Sequence, residues 1–129
     1  TMQIHQSAED YLETILMLNQ RMGRVRSIDV VNELGYTKAS VSIAMKKLRE
    51  NGYIAVDGEG NLTLLEPGRE IAERIYSRHR LLTHFFVQLG VDEETAAEDA
   101  CKAEHILSEQ TLEKIREYAL LHDAQDSVK

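Results

Sequence analysis

The chain has 129 residues, enough for one ordinary domain or two small lobes sharing a core. Its 43% hydrophobic and 29% charged residues describe a soluble globular protein, with no signal peptide and no apolar run approaching a membrane span. A single cysteine excludes an internal disulfide and points to a reducing cytoplasm, while a net charge of -7 weighs at first against a nucleic-acid partner. Thr1 stands ahead of Met2 and is left out of fold reasoning, and His5 falls in a terminus expected to be mobile. Ser7 followed by Glu9 and Asp10 signals a helix start, and "DYLETILMLNQR" continues with apolar residues at helical spacing until Gly23. Ser27 is placed to cap a short second helix, "IDVVNEL", which stops at Gly35. Thr37 is placed to cap a third, "KASVSIAMKKLREN", with Val41, Ala44, Met45 and Leu48 inward and Gly52 as terminator.

Two short helices joined by a tight glycine-containing turn are a helix-turn-helix signature. "YIAVDGEGNLTLL" then reads as strand, turn and strand, with Ile54 and Val56 meeting Leu62 and Leu64 around a tip at Asp57 to Asn61. So short a hairpin must pack on the helices as a wing. Glu66-Pro67 opens a long helix reaching about Leu89, on the order of 36 Å at about 1.5 Å per residue. Gly90 breaks it, Asp92 caps a fifth helix carrying "CKAEH", and "SEQTLEKIREYALL" makes a sixth, with a polar tail expected to fray from Asp123. The fold class expected is mainly α: a winged helix-turn-helix with a two-stranded wing, a long linker helix and a helical C-terminal dimerisation domain. The domains expected are residues 2–72 and 73–129.

The charge is unevenly spread. Between Arg21 and Val56 stand seven basic residues, Arg26, Lys38, Lys46 and Lys47 among them, against the three acids Asp29, Glu33 and Glu50. A local basic patch on an acidic body suits DNA that is bound only when something orients the protein. In a winged helix the third helix enters a major groove, so Arg26, Thr37, Lys38, Ala39, Ser40, Ser42, Lys46 and Lys47 are the candidate DNA-facing residues. The plainer alternative is a solvated helix face.

Cys101, Glu104 and His105 fall at i, i+3 and i+4, so on a helix their heads can converge. All three are transition-metal donors, yet they equally fit a buried thiol, a surface carboxylate and a hydrogen-bonded imidazole. Asp10 and Glu13 repeat the spacing on the first helix, where Ser7-x-x-Asp10 also fits a capping box. His79 on the long helix, like His84 and His122, fits a hydrogen-bonded bystander when taken alone.

Taken together, "SAEDYLETI", "TKASVSIAMKKLRENGYI", "LTLLEPGREIAERIYSRHRLL" and "DACKAEHILS" resemble the diphtheria toxin repressor family of metal-dependent transcriptional repressors. The resemblance covers essentially the whole chain. It implies a metal-dependent repressor, not an enzyme, controlling manganese or iron homeostasis from the cytoplasm, with a DNA operator and a second copy of the chain as partners and no membrane. Asp10, Glu13, His79, Glu104 and His105 match the metal ligands of the manganese branch. Cys101 stands where that branch has glutamate and the iron branch cysteine, so the set is a hybrid. Such donors suit Mn(II) or Fe(II), with Zn(II), Co(II) or Ni(II) able to enter in vitro. Thr83 and Ala97 occupy the positions of an iron-branch ancillary site and cannot supply its ligands. Ala39 and Ile43 replace DNA-contacting residues of the iron branch, so no operator sequence carries over. The implied mechanism is a metal tie between the first helix and the dimerisation domain that orders the DNA-binding heads. The rival readings are a winged-helix regulator of a small organic ligand and a metalloenzyme.

Overall fold

The computed structural model describes residues 6–128. The elements are α1 (Gln6–Met22), α2 (Ser27–Leu34), α3 (Lys38–Glu50), β1 (Ile54–Val56), β2 (Leu62–Leu64), α4 (Glu66–Gln88), α5 (Glu93–Ala103) and α6 (Glu109–Val128). They form two compact units, one ending at Arg74 and the other beginning at Ile75, so the boundary falls inside α4. Among the described residues no helix is long and apolar enough to cross a membrane. Thr1, Met2 and His5, discussed above, lie outside the described residues.

In the first unit, α1 buries Leu12, Ile15, Leu16 and Leu18, spaced so that they line one side of the helix. Val30 of α2 and Val41, Met45 and Leu48 of α3 complete that core with Ile54, Leu62 and Leu64 of the hairpin. Gly35, at φ 72°, turns the chain between α2 and α3, a left-handed conformation that glycine adopts without steric penalty. The strands are antiparallel, pairing Ile54 with Leu64 and Val56 with Leu62, and Leu62 also donates to the Val25 carbonyl at 2.7 Å. A helix-turn-helix carrying a wing is the result.

The first turn of α4 sits against this hairpin. Leu65 N–H donates to the Tyr53 carbonyl at 3.0 Å, and a Cβ at Gly68 would lie 2.2 Å from that oxygen. Only a residue without a side chain lets the two backbones come so close. Arg74 then reaches Glu9 of α1 at 3.4 Å.

In the second unit, Leu82 of α4, Ala100 of α5 and Leu112 of α6 make a small core, with Phe86, Leu107 and Ile115 packed around it. Asp92 caps α5 by accepting from Thr95 N at 3.1 Å.

Four sequence expectations are corrected. Ser7 lies within α1, which already includes Gln6, so the Ser7–Asp10 capping box is not what starts this helix. The N-cap of α2 is Arg26, not Ser27, and its backbone N–H donates to Asp29 Oδ2 at 2.8 Å. Helix α5 ends at Ala103, so Glu104 is its C-cap and His105 lies in the turn beyond. The tail does not fray at Asp123, because α6 continues to Val128 while Asp123 takes hydrogen bonds from Gln88 at 2.8 Å and His84 at 3.0 Å.

Candidate functional site

The second unit brings four of the proposed ligands together. Glu104 is fully buried, and its carboxylate lies between two imidazoles: Oε2 is 3.1 Å from His79 Nδ1, and Oε1 is 3.4 Å from His105 Nε2. Oε1 accepts no aligned hydrogen bond. A carboxylate oxygen left so in the interior is costly, and a cation is what would satisfy it. Cys101 Sγ is 3.7 Å from the same His79 Nδ1. Cys101 is exposed, so it is not a small buried hydrophobe. Three donor chemistries (carboxylate, imidazole and thiol) thus meet around one ring, and they fit a divalent transition metal.

The helix end explains the convergence. Glu104 keeps right-handed helical dihedrals (φ -59°, ψ -22°) and donates its N–H to Ala100 O, so its side chain still follows Cys101 around the helix. Beyond it the ladder tightens, with Ile106 N–H bonding Ala103 O, and His105 swings into the turn. Arg78, which sequence reasoning missed, holds this turn from α4: Nη1 donates to the Glu104 carbonyl at 3.2 Å, and Nη2 pairs with Glu109. An arginine beside a candidate histidine carries no periodic signal, so only the folded chain exposes its role.

His79 has its pKa pushed up to about 10. The hydrogen bond with Cys101 raises it most and that with Glu104 next, together outweighing burial, which lowers it. The ring therefore carries a proton at neutral pH in the metal-free protein. Asp10 and Glu13 lie in the first unit on α1, Asp10 half-buried and Glu13 buried.

The candidate DNA-facing residues all belong to the first unit. Arg26, Thr37, Lys38, Ala39, Ser40, Ser42, Lys46 and Lys47 are exposed. Thr37 is the N-cap of α3, its hydroxyl accepting from Ser40 N–H at 3.1 Å. Lys46 lies 4.0 Å from Glu50, whereas Lys38, Lys47 and Arg49 form no ion pair among the described residues. The wing tip is acidic: Asp57 accepts from the backbone of Glu59 and Asn61, and Glu59 lies 3.8 Å from Arg24. Asp57 is held below the usual carboxylate range, chiefly by the Asn61 side-chain hydrogen bond and then by the Asn61 backbone.

The iron dependent repressor N-terminal DNA binding domain matches residues 3–62, and the iron dependent repressor metal binding and dimerisation domain matches residues 65–121. The chain is 37% identical over 113 residues to an uncharacterized HTH-type transcriptional regulator of Methanocaldococcus jannaschii, covering 86% of this chain and 90% of that one. It is 32% identical over 123 residues to the HTH-type transcriptional regulator MntR of Bacillus subtilis, covering 95% and 87%. Among solved structures, a manganese-dependent transcriptional repressor in complex with manganese superposes with a TM-score of 0.80 at 28% identity, over 87% of this chain and 52% of that one. IdeR of T. acidophilum shares the fold, with a TM-score of 0.79 at 23% identity over 92% and 55%. The chain thus spans about half the length of these solved structures. Its matches are transcriptional regulators, not enzymes. With a winged helix-turn-helix in one unit and carboxylate, imidazole and thiol donors gathered in the other, the chain belongs to the diphtheria toxin repressor family, the metal-dependent transcriptional repressors, on its manganese-regulator branch.

Proposed function

We propose that this protein represses genes of manganese or iron homeostasis in the cytoplasm, as a homodimer that binds a double-stranded DNA operator when loaded with Mn(II) or Fe(II). The observation that carries the metal reading is Glu104, buried and flanked by His79 and His105 with an oxygen that accepts no aligned hydrogen bond. His79, Cys101, Glu104 and His105 would hold the ion, and Asp10 and Glu13 enter the set through the family resemblance. When bound, the ion supplies positive charge that fixes these donors around one point.

The chain's own residues do the rest. Residues 2–72 form the DNA-binding domain and residues 73–129 the metal-binding and dimerisation domain. Arg78 keeps the Glu104 turn in register with α4. Thr37 fixes the start of α3. Lys38, Lys46, Lys47 and Arg26 offer cations to phosphate, and Ala39, Ser40 and Ser42 face the base edges. Metal ordering of two winged heads would raise operator affinity by lowering the orientational freedom lost on binding.

The test uses Glu104→Gln and His105→Ala in the full chain. Both are expected to lose Mn(II)-activated binding to a selected duplex, read by fluorescence anisotropy, while circular dichroism and dimer mass stay at parental values. Parental metal activation in either variant would overturn the ligand assignment.

A further inference from the structure

Helix α5 ends without a glycine. None stands between Ala103 and Glu109, and among the described residues only glycines take a left-handed φ. The last carbonyls of a helix have no partner within it, so each must find one elsewhere. Glu104 N–H serves the Ala100 carbonyl, and Ile106 and Leu107 N–H serve that of Ala103. The Glu104 carbonyl is served from another helix, by Arg78 Nη1 at 3.2 Å. The same guanidinium pairs through Nη2 with Glu109, the first residue of α6. The Arg78 side chain is 14% exposed and that of Glu109 80%. An ion pair with one partner that open adds little stability, so what the guanidinium secures is the turn.

Resting on the metal reading of Glu104 and His105, we propose that Arg78 is a positioning residue that sets metal affinity without touching the ion. Its planar fork holds the turn at both ends, Glu104 on one side and Glu109 on the other. His105 lies inside that turn, past the point where the helix orients it. Neighbouring residues on α4 point about 100° apart, so Arg78 takes the main chain of Glu104 while His79 lies 3.1 Å from its carboxylate. Glu104 is thus held at backbone and head from one helix. Partners that orient a metal's ligands commonly account for about ten- to a hundredfold in affinity. Charge alone predicts the reverse effect of losing Arg78. Removing a cation beside a site for a divalent ion would tighten binding, the more so with Glu109 left unpaired.

The experiment compares the full chain with Arg78→Met and Arg78→Lys, without DNA. Mn(II) affinity is read by calorimetry at fixed pH, and site geometry by the absorption bands of bound Co(II). Arg78→Met keeps an unbranched apolar stem and loses both anchors. It is expected to bind Mn(II) about ten- to a hundredfold more weakly and to alter the Co(II) bands. Arg78→Lys keeps the charge but is a single point donor, so it recovers only part of the affinity. A purely structural arginine would lower the melting temperature on substitution and leave Mn(II) affinity and the Co(II) bands of the folded protein at parental values. That result in Arg78→Met, or in Arg78→Lys if Arg78→Met does not fold, overturns this inference and leaves the proposed function standing. Tighter Mn(II) binding in Arg78→Met overturns it as well, in favour of charge. A parent that binds neither ion overturns both.

Discussion

His79 presents one ring nitrogen to two acceptors, Cys101 Sγ and Glu104 Oε2, and this sharing sets the chemistry of the site. A ligand imidazole is neutral, so a metal taken by His79, as proposed, would displace the proton held up to a pKa of about 10. Between pH 7 and 9, Mn(II) binding is therefore expected to release a proton from His79, with apparent affinity rising about tenfold per pH unit for each proton displaced. Calorimetry in buffers of different ionisation enthalpy measures this release, and identical heats in all of them would contradict it. In the metal-free protein the same raised pKa stabilises the fold below the ordinary histidine value of about 6.5, and that contribution is lost as pH rises through about 10. Cys101 is the second lever. Cys101→Glu replaces a soft donor by a hard one, so the ratio of activation midpoints should move toward Mn(II) and away from Zn(II) in a metal titration of DNA binding. An unchanged ratio would remove Cys101 from the ligand set. The Cys101, Glu104 and His105 spacing is visible in the sequence, whereas His79 taken alone reads as a bystander and joins the candidate ligands only through the family resemblance. Arg78 is not visible there, since its hydrogen bond to the Glu104 carbonyl joins α4 to a turn 26 residues away.

Among the elements, α4 is the most constrained at its start. Gly68→Ala would press a methyl group into the Tyr53 carbonyl, where the opposing atom is backbone and cannot rotate away. A loss of about 1–3 kcal/mol in urea unfolding is expected, as for other overpacked interiors. Parental stability would mean that the start of α4 shifts freely. Helix order, the wing and the caps at Thr37 and Asp92 could be read from the chain because they rest on local signals: apolar periodicity, hydroxyl or carboxylate caps and left-handed glycines. The misread boundaries depend on neighbours. Helix α5 gives way to a tighter turn after Ala103 with no proline or glycine to announce it, and α6 passes Asp123 with His84 and Gln88 of α4 holding that turn. Periodicity cannot see contacts that distant in sequence.

For the whole molecule, a net charge of -7 opposes DNA while the exposed cations of α3 attract it. Each phosphate neutralised should contribute about 0.9 to the slope of log affinity against log salt. Lys47→Ala is expected to lower that slope by about this amount and Lys46→Ala by less, since Glu50 already lies 4.0 Å from Lys46. Metal affinity should be unchanged in both. Parental slopes in both variants would place the DNA contact elsewhere. The shared proton of His79 has a further consequence for how the molecule is switched on. A divalent ion that displaced that proton would add one net charge instead of two. A loaded protein would then stay acidic and migrate only slightly more slowly in a native electric field than the empty one. In the proposed switch, activation would come from restricted motion, because the ion would change the long-range field that the DNA meets by little.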